Sequence, residues 1–134
     1  MNWGKIALAG LLGGIAGWIA DFIMHGAILG NTYMSYPDVF TQEQSNPAYF
    51  LLNSVLVGFF AATLFSKTRD SWAAGLMGGV TFGALLGMVA FWTPFYSPLV
   101  LDGFPYFLAW CQGGAALISA IVIGAVLGLV IKRA

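Results

Sequence analysis

Charge is what this chain has least of: 7% of its 134 residues are Asp, Glu, Lys or Arg. A soluble domain carries about a quarter, so this composition cannot coat a water-facing surface. Five basic residues balance five acidic ones. None forms the basic cluster needed to neutralise a nucleic-acid backbone, so nucleic acid is not expected as a partner. The single cysteine, Cys111, precludes an internal disulfide and any multi-cysteine zinc or iron–sulfur site. It reads as a small, buried apolar residue. The single histidine, His25, cannot complete a bis-histidine site unless two protomers share it. GxSxG, HExxH, P-loop and dinucleotide-binding patterns are all missing. Nothing in the pattern argues for an enzyme, and no cofactor or metal is expected.

Apolar length is what the chain does have, with 60% hydrophobic residues. A membrane span needs about 20 mostly apolar residues. Four stretches qualify, at about 4–30, 47–66, 72–95 and 106–131, within one domain covering 1–134. The opening "MNWGKIALAGLLGG" resembles a signal sequence, but its apolar character runs on to Gly30. That is too long for a signal h-region, so it is read as a retained first helix. The expectation is an all-α integral membrane four-helix bundle in contact with the lipid bilayer.

With four spans, Lys5, Lys67, Arg69, Lys132 and Arg133 all fall on one side, while Asp38, Glu43 and Asp102 lie on the other. The positive-inside rule then places both termini and the short "KTRDS" turn in the cytoplasm, as expected for a multi-pass protein of a bacterial inner membrane. Trp3 and Trp72 mark the inner boundary, Trp92 and Trp110 the outer. All five tyrosines lie in or beside the outer loops, as interfacial aromatics do.

Small residues recur at helical spacing. Gly75, Gly79, Gly83 and Gly87 form an unbroken four-residue series in the third span. Gly10, Gly14, Gly13 and Gly17 form two overlapping GxxxG pairs in the first, and Gly124 and Gly128 extend a similar row in the fourth. Such rows let helix backbones approach closely. They would either pack the monomer or join it to a second copy or to other membrane subunits. The strings "AGLLGG" (9–14) and "AGLMGG" (74–79) also suggest two parallel helical-hairpin repeats.

The first span carries the puzzle, because "WIADFIMHGAILG" sets Asp21 and His25 four residues apart on one helix face. At 1.5 Å per residue, Asp21 lies about 24 Å and His25 about 30 Å along the helix from Lys5. Asp21 is therefore in the outer quarter of a hydrocarbon core about 30 Å thick. Asn53 and Gln112 enter from the outside to a similar depth, each about 9 Å below its helix start. A layer of Asp21, His25, Asn53 and Gln112 admits three readings: an interhelical hydrogen-bond clamp, a proton-coupled transporter or sensor pair, or a haem or metal site through His25 shared between protomers.

At "DFIMHGAILGNTY" the chain resembles a family of small, uncharacterised bacterial four-helix inner-membrane proteins. In these an Asp-Phe-x-x-His-Gly string, matched by Asp21, Phe22, His25 and Gly26, ends the first span. The resemblance implies fold and location and no activity. Small multidrug-resistance transporters also carry a first-span acid, but nearer mid-membrane and with weakly biased insertion. Fluoride channels share the size, but their first-span arginine and phenylalanine pattern is lacking here. The leading expectation is a non-enzymatic membrane protein that self-associates or serves a larger assembly.

Overall fold

The computed structural model describes residues 1–41 and 46–132. Glu43 and Arg133 lie outside the described residues. Among the described residues there are four long apolar helices, Trp3–Ile28, Pro47–Lys67, Gly75–Val100 and Tyr106–Val130. The chain is all-α, and among the described residues there is no strand. It forms a four-helix bundle.

Helix α1 (Trp3–Asp21) starts where the Asn2 side chain accepts the Lys5 N–H at 3.1 Å, satisfying one of the donors every helix start leaves open. The short helix α2 (Gly30–Met34) follows a π-helical segment described below. Helix α3 (Pro47–Lys67) uses Asn46 as its cap, 2.9 Å from the Ala48 N–H, with Pro47 in the first turn. There the missing proline N–H costs nothing. Helix α4 (Gly75–Phe91) begins three residues later than the hydropathy of Trp72 suggests, because Trp72 and Ala74 are extended. Trp72 instead turns its indole N–H to Thr68 Oγ1 at 2.8 Å. After a 3-10 turn and the single-turn helix α5 (Ser97–Val100), helix α6 (Tyr106–Val130) returns to the end that holds the termini.

The helices pack as two hairpins, α1 against α3 and α4 against α6, joined through α1 and α6. Glycine makes both hairpins. A Cβ on Gly14 would stand 2.6 Å from Val55 Cα, and one on Gly83 would stand 2.9 Å from Ile121 Cα. Gly58 faces Gly10 and Gly14, and Gly79 faces Gly124 and Gly128, at backbone-to-backbone contact. The overlapping pairs of α1 divide their work. Gly10 and Gly14 meet α3, while Gly13 and Gly17 receive Ile123 of α6, whose Cδ1 would be 2.7 Å from a Cβ on Gly17. In a lipid solvent, which offers no hydrophobic drive between helices, such close packing is what holds them together.

The main core sits at the terminal end. There Ile6, Ala61, Ala62, Phe65, Phe82, Ile123 and Leu127 are buried together, and the Phe65 and Phe82 rings meet at 5.1 Å. A smaller cluster around Phe104, Leu108 and Ala109 gathers Leu29, Tyr33 and Phe40 at the opposite, loop-bearing end. Leu8, Leu11, Ile19, Phe60, Leu64, Leu85 and Val89 point outward and are exposed. Water would not tolerate that apolar surface, whereas acyl chains match it.

Candidate functional site

The first helix does not simply continue to Gly30. Phe22–Ile28 is a π-helical segment, in which Leu29 N–H bonds Met24 O at 2.9 Å, five residues back. Such wide turns are rare and recur at functional sites. This one carries His25 into the wall of a cavity of about 700 Å³ between α1 and α3, within the range of small-molecule sites. Gly26 lines the same wall; a Cβ there would meet nothing closer than the Phe22 ring at 3.6 Å.

The cavity is lined by Trp18, Asp21, Phe22, His25 and Gly26 from the first span. Tyr33 and Phe40 come from the connecting segment, and Pro47, Phe50, Asn53 and Ser54 from α3. Five of these eleven residues are Phe, Tyr or Trp; Asn53 and Ser54 put polar groups on the α3 wall, and the polar groups facing them are Asp21, His25 and Tyr33.

Those groups form a chain across three elements. Asp21 is half-buried, with the Ser119 hydroxyl of α6 against its carboxyl and His25 close enough to interact by charge. Ser119 Oγ also reaches the Gly17 carbonyl at 3.3 Å. His25 Nδ1 is hydrogen-bonded to the Tyr33 hydroxyl, and the two rings lie nearly parallel, 15° apart. Tyr33 is bonded in turn by the Gln112 side chain. Burial pushes the Tyr33 phenol above its ordinary pKa of 10.0, and the Gln112 hydrogen bond offsets part of that. Tyr33 is therefore a neutral phenol at physiological pH. Which of Tyr33 and His25 donates in their shared hydrogen bond is set by the imidazole tautomer.

Of the residues singled out from sequence, Asp21, His25 and Asn53 share the cavity. Gln112 is not among its lining residues and joins through Tyr33. Asn53 is exposed on the α3 wall and, among the described residues, makes no side-chain hydrogen bond. The carboxyl of Asp21 thus takes a hydroxyl from Ser119 rather than an amide. Sequence reasoning missed Ser119, although its spacing of seven from Gln112 sets both on one face of α6. It also missed Tyr33, which reads in sequence as one more interfacial aromatic. Among the described residues no three His, Cys, Asp or Glu side chains gather as metal ligands.

Fold and site together define a small multi-pass membrane protein with an acid-bearing aromatic cavity near one end. Compared with protein-family models, with curated proteins and with solved structures, the chain finds no significant match in any of the three.

Proposed function

We propose that this is a non-enzymatic protein of the bacterial inner membrane, with both termini cytoplasmic, that binds a lipophilic cation in the α1–α3 cavity in competition with a proton on the Asp21–His25 pair. The observation that carries this reading is the pairing of one carboxyl with aromatic walls in a space of about 700 Å³. Ring faces attract cations, and a carboxylate supplies the counter-charge. Apart from His25, no lining residue is basic. An intramembrane carboxyl that meets both a ligand cavity and a histidine suits exchange of a cation against a proton. The cytoplasmic placement of the termini rests on the one-sided basic residues, and the bacterial assignment on the Asp21–Gly26 string.

Self-association through the glycine rows has less support, because Gly10, Gly14, Gly79, Gly83, Gly124 and Gly128 are occupied by contacts within the chain. A haem or metal role for His25 has less still, since among the described residues no group of three His, Cys, Asp or Glu side chains gathers as ligands.

The test is equilibrium binding of tetraphenylphosphonium to the detergent-purified protein at pH 5 and pH 8. Binding should be tighter at the higher pH, and Asp21→Asn should weaken it and abolish the pH dependence. A neutral analogue of the same shape binding equally well, or a wild-type affinity for the cation in Asp21→Asn, would sink this reading.

A further inference from the structure

The α3 wall of the α1–α3 cavity carries two adjacent polar groups that the bundle itself leaves unused. Asn53 is exposed there, and Ser54 beside it is buried, at 7% exposure. Neither side chain has a hydrogen-bond partner among the described residues. A hydroxyl inside a helix can bond the carbonyl four residues back, and on the same helix Thr63 does so to the Phe59 carbonyl at 2.9 Å. Ser54 makes no such bond to Phe50. Its oxygen is not walled in either. Among the described residues the side-chain atom both enclosed and unpartnered is Nη2 of the buried Arg69, at the terminal end of the bundle. The Ser54 hydroxyl therefore keeps access to open space, and the space that Ser54 lines is this cavity. Asn53 stands about 9 Å inside its span, where lipid offers an amide no partner. Two such groups side by side call for a ligand atom that bonds them.

The floor of the cavity sets their depth. There α1 and α3 touch at backbone: a Cβ on Gly14 would stand 2.6 Å from Val55 Cα and 2.7 Å from the Ser54 carbonyl oxygen. From that contact the two helices run, in opposite chain directions, toward the loop-bearing end. At 1.5 Å per residue Asp21 lies about 10 Å beyond it and Asn53 about 3 Å, so the two residues are about 7 Å apart along the helices. Trp18 and Phe50 come from the levels between them, and both line the cavity. On the α1 wall the Trp18 ring stands 6.3 Å from that of Phe22. The cavity thus has a charged end, an aromatic middle and a neutral hydrogen-bonding end at its floor.

We propose that the cation bound here is a two-ended aryl amine, with its ammonium at Asp21, a flat aromatic body between Trp18 and Phe50, and a hydroxyl or carbonyl at Asn53 and Ser54. This assignment rests on the cation-binding reading above and narrows it. An ammonium gives the carboxylate N–H donors as well as charge. At the other end an amide and a hydroxyl each offer both a donor and an acceptor, so a single ligand hydroxyl can bond the pair. A cation without a distal polar group leaves them unpaired.

The experiment is equilibrium binding to the detergent-purified full chain. The probes are para-biphenylylethylamine, its derivative hydroxylated at the far end of the second ring, and tetraphenylphosphonium, a cation with no hydrogen-bonding group. The hydroxylated amine should bind tighter than its parent by on the order of fivefold, about the worth of one hydrogen bond. Asn53→Leu, at an exposed position, and Ser54→Ala, which removes one oxygen, should each lower that ratio, and the two together should abolish it. Melting temperatures establish that these variants are folded. Asp21→Asn should weaken both amines alike, which separates the charged end from the floor. Equal affinity of wild type for the two amines, or a ratio that survives in the double variant, would overturn the polar floor while tetraphenylphosphonium binding still upheld the cation site. Failure of wild type to bind any of the three cations would overturn both.

Discussion

Asp21 is held by what surrounds it, and the replacements at this position separate shape from charge. Asn keeps an oxygen beside the Ser119 hydroxyl, whereas Leu leaves that hydroxyl only the Gly17 carbonyl and His25 only Tyr33. We expect Asp21→Leu to cost about 1 kcal/mol, the usual net worth of one hydrogen bond, and Asp21→Asn to unfold near the wild-type temperature in detergent. Leu as stable as wild type would mean that Asp21 faces headgroups or water. Tyr33 supplies a second test. Its pKa is raised in the folded chain above the ordinary 10.0, so the folded state holds this proton more tightly than the unfolded state. Its contribution is present below pH 10.0 and is lost as pH rises from there through the folded value. Tyr33→Phe should remove that part of the alkaline loss of stability, measured as melting temperature against pH. It should also free His25 Nδ1, so that cation binding in this variant titrates differently from wild type.

The glycines of α4 carry their argument at the level of the helix pair. Gly79 presents its face to backbone atoms of Gly124 and Gly128, the latter's nitrogen 2.7 Å from a would-be Cβ. Backbone cannot step aside as a flexible side chain can. Gly79→Leu or Gly83→Leu should therefore exceed the usual overpacking cost of about 1–3 kcal/mol, seen as loss of monodisperse protein on size-exclusion chromatography. Gly114 is the control, because nothing lies within 4 Å of its Cβ position. Gly114→Ala should be neutral or stabilise α6 by up to about 1 kcal/mol. Equal tolerance at Gly79 and Gly114 would show that α4 and α6 do not meet as described. The rows of small residues were legible in sequence, but their partners were not. Periodicity shows that Gly10, Gly14, Gly13 and Gly17 border two overlapping faces, and only the position of α3 and α6 assigns one pair to each. The π-helical turn at Phe22–Ile28 had no signal in the string, which holds no proline there.

At the scale of the whole chain, orientation is the feature open to a direct check. The four spans read from the sequence set Lys5, Lys67, Arg69, Lys132 and Arg133 on one side, and the positive-inside rule predicts that side to be cytoplasmic. In a Cys111→Ala background, cysteine at Asp102 should react with an impermeant thiol reagent in intact cells, and cysteine at Thr68 should not. The reverse pattern would invert the protein and move the cation cavity to the inner face. Hydropathy alone determined the number of spans and their approximate limits, because a bilayer demands a minimum apolar length that four stretches meet. It also determined which side each loop lies on relative to the others. What only the tertiary structure decided is which polar residues meet. Depth counted along separate helices set Asp21, Asn53 and Gln112 level, but depth does not specify the rotation of one helix against another. Rotation follows from glycine-to-backbone contacts between helices far apart in sequence. That rotation gave Asp21 to Ser119, Gln112 to Tyr33 and Asn53 to the open wall, and it buried Arg69, a residue that reads in sequence as an ordinary solvated turn charge.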